Sequence, residues 1–297
     1  MSILAEKDVR VIIQGITGRE AASFTKDMLD YGTRVVAGVT PGKQGQDVHG
    51  VPVYDTVRGA MRDHPADAAV VSVPPGMVKG AALEALENGI KLLVVVTERV
   101  PRKDVIAFLE VAKEKDARVI GPNTLGLISP EKVKLGMAGG PVGDVRRAYM
   151  PGSVGIASRS GGMTTEIANL LTTHGIGQST CIGTGGDPVV GSNFLDLIPL
   201  FHADPETKAV VLFCEPGGVI EESLAEMVVS KKITMPIVAF VAGRFVDEMP
   251  GMRFGHAATI VEGEKGTARG KIDSFKKAGI HVAESFSEIV TLLKEHL

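Results

Sequence analysis

The stretch Val9-Arg10-Val11-Ile12-Ile13-Gln14-Gly15-Ile16-Thr17-Gly18-Arg19-Glu20-Ala21-Ala22 decides the fold class. Residues 9–14 are mostly apolar and β-branched, without the alternation of a strand that has one wet face. Continuous apolarity marks a strand covered on both sides, as in a parallel sheet. Glycines follow, and then an amphipathic segment over 19–31. Strand, glycine turn and helix form the opening unit of a doubly wound α/β domain.

Outward from this stretch the pattern repeats. Strands are expected at 34–39, 68–73, 91–96 and 118–120, with helices over 77–89 and 104–115. Residues 128–152 are rich in Gly, Pro and Lys and have no clear period. They are expected to be a linker or a crossing segment. The alternation then resumes with strands at 153–157, 178–183, 208–214, 236–242 and 280–283. Helices are expected near 163–173, 193–202, 219–230, 267–278 and 286–296. The expectation is a Rossmann-like first domain over 1–127 and a second doubly wound, flavodoxin-like α/β domain over 153–297. A length of 297 residues agrees with about two domains.

The first turn, Gly15 to Ala22, has the spacing G-x-x-G-x-x-A rather than G-x-G-x-x-G. It suits either a packing turn or a phosphate held at a helix N-terminus. The second strand narrows the choice. A NAD site would end that strand in an acid for the ribose hydroxyls. Here it ends Val39-Thr40-Pro41-Gly42-Lys43, with a lysine and no acid. That suits a phosphorylated ribose, as in coenzyme A or NADP. The ends of the next strands, Val73-Pro74-Pro75 and Val96-Thr97-Glu98, would line the same crevice.

A second strand–glycine–helix turn is Ser158-Arg159-Ser160-Gly161-Gly162-Met163-Thr164-Thr165-Glu166. Ser160 is either a plain N-cap or part of a phosphate cradle made with backbone N–H groups. No G-x-x-x-x-G-K-[ST] loop is present, so a Walker-type ATP site is not expected. Glu215, in Phe213-Cys214-Glu215-Pro216-Gly217-Gly218, is an acid at a strand end. It can orient an imidazole or serve a helix dipole. Asp187, in Gly185-Gly186-Asp187-Pro188, is a further candidate. His256 lies in Gly251-Met252-Arg253-Phe254-Gly255-His256-Ala257-Ala258, among small neighbours that leave its ring accessible. Such a histidine can attack with one nitrogen while the other holds its proton on a partner. The glycine-rich loop 243–255 is expected to move or order when phosphate arrives.

Composition excludes other classes. The net charge of -3 does not make the basic field that nucleic acid binding needs. Cys181 and Cys214 form neither a disulfide framework nor a C-x-x-C pair, and no histidines have metal-ligand spacing. No apolar run of about 18 residues occurs, so no membrane span is expected. The first residues carry no export pattern, so the cytoplasm, or an organelle matrix after processing, is expected. There is no Gly-x-Ser-x-Gly elbow for a serine hydrolase.

Taken together, the runs Gln14-Gly15-Ile16-Thr17-Gly18, Gly38-Val39-Thr40-Pro41-Gly42-Lys43, Ser158-Arg159-Ser160-Gly161, Gly177-Gln178-Ser179-Thr180-Cys181-Ile182-Gly183, Gly185-Gly186-Asp187-Pro188 and Gly255-His256-Ala257 carry a resemblance. The chain resembles the succinyl-CoA synthetase (succinate–CoA ligase) α-subunit family over essentially its whole length. The resemblance implies that Thr17, Gly18, Arg19, Glu20, Lys43, Val96, Thr97 and Glu98 bind coenzyme A. His256 would be the phosphorylated histidine and Glu215 its holder. Ser160, Gly161, Gly162 and Thr165 would belong to the phosphate and substrate site. A β subunit of the ATP-grasp type would supply ATP or GTP with Mg²⁺, in an αβ or (αβ)₂ assembly. The reaction would then be nucleotide-driven ligation of succinate to CoA by way of phosphohistidine and acyl phosphate.

The sequence departs from the family in places. Thr165 stands where a tyrosine is usual, and Gly161-Gly162-Met163 is the form that ATP-citrate lyase and its relatives carry. Thr124 stands where a cysteine is usual, and Pro216 where an isoleucine is. Malate and citrate are therefore alternatives to succinate as the small carboxylate. A CoA-binding regulatory protein and an NADP oxidoreductase are the alternatives of another class.

Overall fold

The computed structural model describes residues 2–248, 255–259, 261 and 266–297. Its first half contains β1 (Arg10–Gln14), α1 (Arg19–Tyr31), β2 (Arg34–Val39), β3 (Asp47–Val48), β4 (Val51–Tyr54), α2 (Val57–Asp63), β5 (Ala68–Val71), α3 (Val78–Glu87), β6 (Leu92–Val95), α4 (Arg102–Glu114) and β7 (Arg118–Ile120). The second half contains β8 (Gly126–Ser129), β9 (Val133–Gly136), α5 (Val142–Ala148), β10 (Pro151–Ser158), α6 (Gly161–Thr173), β11 (Gln178–Gly183), α7 (Phe194–Ala203), β12 (Ala209–Cys214), α8 (Ile220–Val229), β13 (Ile237–Val241), α9 (Ala268–Ala278), β14 (His281–Ala283) and α10 (Glu288–Lys294).

The first sheet has the order β3-β4-β2-β1-β5-β6-β7, parallel except for β3. Without the short β3 edge this is the Rossmann order, and its direction reverses between β1 and β5. The second sheet has the order β14-β13-β12-β10-β11-β8-β9. Its parallel part, β11-β10-β12-β13-β14, is the flavodoxin-like order with β10 as first strand. The architecture is thus a Rossmann-like domain followed by a flavodoxin-like one. Strands β5, β6, β11 and β12 are buried along their whole length, the condition that continuous apolar runs require.

Two regions differ from the sequence-based expectation. Residues 128–152 are not a structureless crossing. β8 and β9 form an antiparallel hairpin, and β8 pairs antiparallel with β11 through Cys181↔Ile128 and Ile182↔Leu127. Lys134 breaks the apolar run of β9 although it is fully buried. Residues 47–63, which the periodicity left without structure, form β3, β4 and α2. Pro52 sits in β4 next to the sheet edge, where a missing N–H is tolerated.

The halves share one core. Phe24 and Met28 of α1 belong to the same buried apolar cluster as Leu127, Val133 and Leu135 of the hairpin. Thr33 Oγ1 donates to the Lys134 carbonyl at 2.8 Å. Burial pushes the Lys134 ammonium down to about 8.

Candidate active site

Both sheets present helix N-termini at the carboxyl ends of their strands. In the first, β1 runs into Gly15 at φ +84°. A Cβ there would lie 2.0 Å from the carbonyl oxygen of Ser72 at the end of β5, so only glycine lets the two strand ends approach. Helix α1 then starts from Gly18 without a side-chain cap. Its first N–H groups are left for a ligand, an arrangement suited to an anion. A cleft of about 590 Å³ opens there, between Gly18, Arg19, Glu20, Val96, Thr97 and Glu98. These six were proposed from sequence. Thr17 and Lys43 do not line the cleft. The Thr17 hydroxyl lies 3.2 Å from that of Thr40, and the Lys43 amide donates to Asp55 Oδ1 at 3.0 Å. The Lys43 side chain is exposed at the end of β2.

In the second sheet β10 lies between β11 and β12, with Ser158 level with Gly183 on one side and Phe213 on the other. The exits of these strands therefore converge. Ser160 caps α6, its Oγ accepting from the Met163 amide at a long 3.4 Å. Gly161 packs near Leu125, since a Cβ would meet Leu125 Cδ2 at 3.1 Å. Gly162 is exposed and unobstructed. Thr165, one turn further into α6, faces α5 instead: its hydroxyl lies 2.8 Å from that of Tyr149. Thr165 thus serves the α5–α6 contact rather than the open end of the helix.

His256 meets these exits. Its Nδ1 lies 2.7 Å from Glu215 Oε2, just past β12. Beneath the ring runs the backbone of Gly186, just past β11. A Cβ on Gly186 would sit 2.3 Å from His256 Cδ2 and 2.8 Å from Nε2. The imidazole is therefore half-buried rather than free-standing, with its side chain 30% exposed. The hydrogen bond to Glu215 raises its pKa, with burial and Arg159 opposing. With Nδ1–H donating to the carboxylate, the lone pair of the neutral ring is on Nε2. Residues 249–254 of the loop 243–255 lie outside the described residues.

Asp187, the other candidate acid, takes a different partner. Its Oδ1 accepts from Asn123 Nδ2 at 2.9 Å, and burial raises its pKa. Asn123 also lines the first cleft, so this pair joins the two half-sites. A second cavity of about 470 Å³ adjoins, bounded by Arg159, Thr184, Asp187, Asn193 and Ala258 among others. Sequence reading gave no role to Gly186 or Asn123. Gly186 carries no functional group, and its part is only to leave room.

Comparison with known proteins agrees with this layout. The CoA binding domain model matches residues 6–99, and the CoA-ligase model matches residues 157–281. The chain is 47% identical to the ADP-forming sulfoacetate–CoA ligase subunit of Bilophila wadsworthia, over 99% of each chain. It is 45% identical to the ADP-forming succinate–CoA ligase subunit alpha 2 of Archaeoglobus fulgidus, over the full length of both. Among solved structures, ATP citrate lyase from Methanothrix soehngenii in complex with citrate and coenzyme A superposes with a TM-score of 0.91 at 29% identity. That match covers 98% of this chain and 50% of the lyase chain. The chain belongs to the family of succinate–CoA ligase α subunits, the α chains of ADP-forming CoA ligases.

Proposed function

We propose that this chain carries the phosphoryl group of an acid–CoA ligation on His256. The observation that carries the reading is the 2.7 Å contact of His256 Nδ1 with Glu215, which leaves Nε2 as the nucleophile. Nε2 attacks the terminal phosphorus of ATP or GTP, and the nucleoside diphosphate leaves. The substrate carboxylate then attacks the phosphohistidine, giving an acyl phosphate and restoring the imidazole. The CoA sulfur attacks the acyl carbon, and inorganic phosphate departs. Glu215 stabilises the charge that develops on the ring, and the α6 N-terminus at Ser160, Gly161 and Gly162 offers N–H groups to the phosphoryl oxygens. Gly18, Arg19, Glu20, Val96, Thr97 and Glu98 would hold coenzyme A, and the exposed Lys43 would be a counter-charge for its 3′-phosphate. The nucleotide and its Mg²⁺, which screens phosphate charge, are read as the partner β subunit's. That subunit would be of the ATP-grasp type.

Succinate is the substrate we propose, on the strength of the succinate–CoA ligase relatives at 41–45% identity. Sulfoacetate is the second reading, favoured by the relative at 47%. Both acids are short dianions. The test is reconstitution with the partner subunit, ATP, CoA and succinate, sulfoacetate, malate or citrate in turn. Thioester formation from succinate supports the first reading. Turnover of another acid alone replaces it. Acid-labile, base-stable phosphate should appear on the wild-type chain and vanish in His256→Ala. Undiminished labelling of that variant would refute the phosphohistidine.

A further inference from the structure

Past β12 the chain reverses through Glu215-Pro216-Gly217-Gly218 before α8 begins. Four successive carbonyl groups of this turn face two cations. Arg159 Nη1 donates to the carbonyls of Glu215, Pro216 and Gly217 at 2.9, 3.3 and 3.2 Å. Lys271 Nζ, from α9, donates to the Gly218 carbonyl at 3.0 Å. The Lys271 side chain is 0% exposed and that of Arg159 13%. Their counter-charges come from the first turn of α8. Lys271 Nζ lies 2.6 Å from Glu221 Oε2 and 3.1 Å from Glu222 Oε2. Glu221 Oε1 lies 3.6 Å from Arg159 Nη1.

Such a cluster is a poor way to gain stability. Buried ion pairs roughly break even against apolar groups of equal volume. Packing α8 on α9 needs none of these charges. What they do is fix the direction of four consecutive carbonyls, beside the Gly217 amide's hydrogen bond to the Gly266 carbonyl at 2.7 Å. The first carbonyl belongs to Glu215, whose carboxylate holds His256. We infer that Arg159 and Lys271, balanced by Glu221, are positioning residues that lock the Glu215–Gly218 turn and so aim the Glu215 carboxylate at His256 Nδ1. The consequence for phosphoryl transfer rests on the reading of His256 proposed above, whereas the geometry of the Glu215–His256 pair does not.

The discriminating variant is Arg159→Lys. It keeps the positive charge that opposes His256 protonation but has a shorter reach to the three carbonyls. The charged and titratable groups acting on the ring are Glu215, Asp187 and Arg159. Ring titration of His256 by NMR, assigned with His256→Ala, needs neither nucleotide nor partner. The variant should titrate at lower pH than wild type, as the Glu215 contact loosens. Phosphorylation in the reconstituted complex should fall on the order of 10²-fold. If Arg159→Lys folds poorly, the charge-neutral pair Lys271→Met with Glu221→Leu carries the same test. An unchanged ring titration in the folded variant would overturn the inference and leave the cluster a purely structural one. A shifted titration in a chain whose wild type never accepts phosphate would uphold the positioning and defeat the phosphohistidine reading instead.

Discussion

At the scale of single residues, the division of labour on the imidazole makes two predictions. Glu215 raises the His256 pKa, and in the proposed reaction the nucleophile is the neutral ring. Phosphorylation of the wild type therefore declines as pH falls through that raised value. Glu215→Gln removes the anion, so the decline should begin at lower pH. The rate at neutral pH should nevertheless drop about 10²- to 10⁴-fold, because the amide no longer fixes the tautomer or stabilises the charged ring. A pH profile of the labelling rate checks both statements, and an acidic limb moving upward would contradict them. Gly186→Ala places a methyl group where the ring now lies. The ring can swing away, so unfolding should be nearly unaffected. Labelling should fall on the order of 10²-fold from misplacement alone. Stability and labelling lost together would argue against this.

At the scale of elements, the helix N-termini differ in what satisfies them. Helix α7 is closed by a capping box, with the Asn193 Oδ1 accepting from the Leu195 amide and Asp196 reaching back to the Asn193 amide. Helix α1 has no side-chain cap, and the cap of α6 is a long hydrogen bond. Asn193→Ala should cost about 1 kcal/mol in urea unfolding. Ser160→Ala should cost less in stability, and its effect should appear in phosphoryl transfer. Thr165→Val leaves the buried Tyr149 hydroxyl without this partner, and about 1–2 kcal/mol should be lost. Labelling should stay near wild type, because Thr165 faces α5; a labelling defect as large as that of Gly186→Ala would return Thr165 to the phosphate site.

At the scale of the whole molecule, the shared core predicts coupled behaviour. The α1 side chains pack with the β8–β9 hairpin of the second sheet. Heating should give one transition, and CoA should raise it as a unit. At a hundred times its dissociation constant the ligand adds about 2.7 kcal/mol to the folded state. Calorimetry resolving two transitions, only one of them moved by CoA, would show that the halves unfold separately. Among the described residues no helix is long and apolar enough to cross a membrane.

Much of this was legible in the sequence, and the reason is local. Residues 11–13, 68–71 and 92–95 are apolar without interruption because both faces of each strand are covered, and that pattern survives in one dimension. Gly15 after β1 marks a turn where backbone must come close, and His256 stands out by its small neighbours. The hairpin 126–136 and the segment 47–63 were not legible, because Lys134 interrupts the short apolar run of β9 and Pro52 that of β4. Which acid meets the imidazole was implied by the family resemblance to be Glu215, whereas residue spacing alone did not separate it from Asp187. Asp187 and Glu215 both follow strand ends beside glycines, and the sheet order gives His256 to Glu215 and Asn123 to Asp187. Arg159, Lys271 and Glu221 lie far apart in the chain and form no motif. The sequence alone determined the layers and the turns, because local propensity and burial encode them, and it singled out His256 as the candidate. The tertiary structure decided the partners, because hydrogen bonds between distant residues depend on where separate strand ends meet in space.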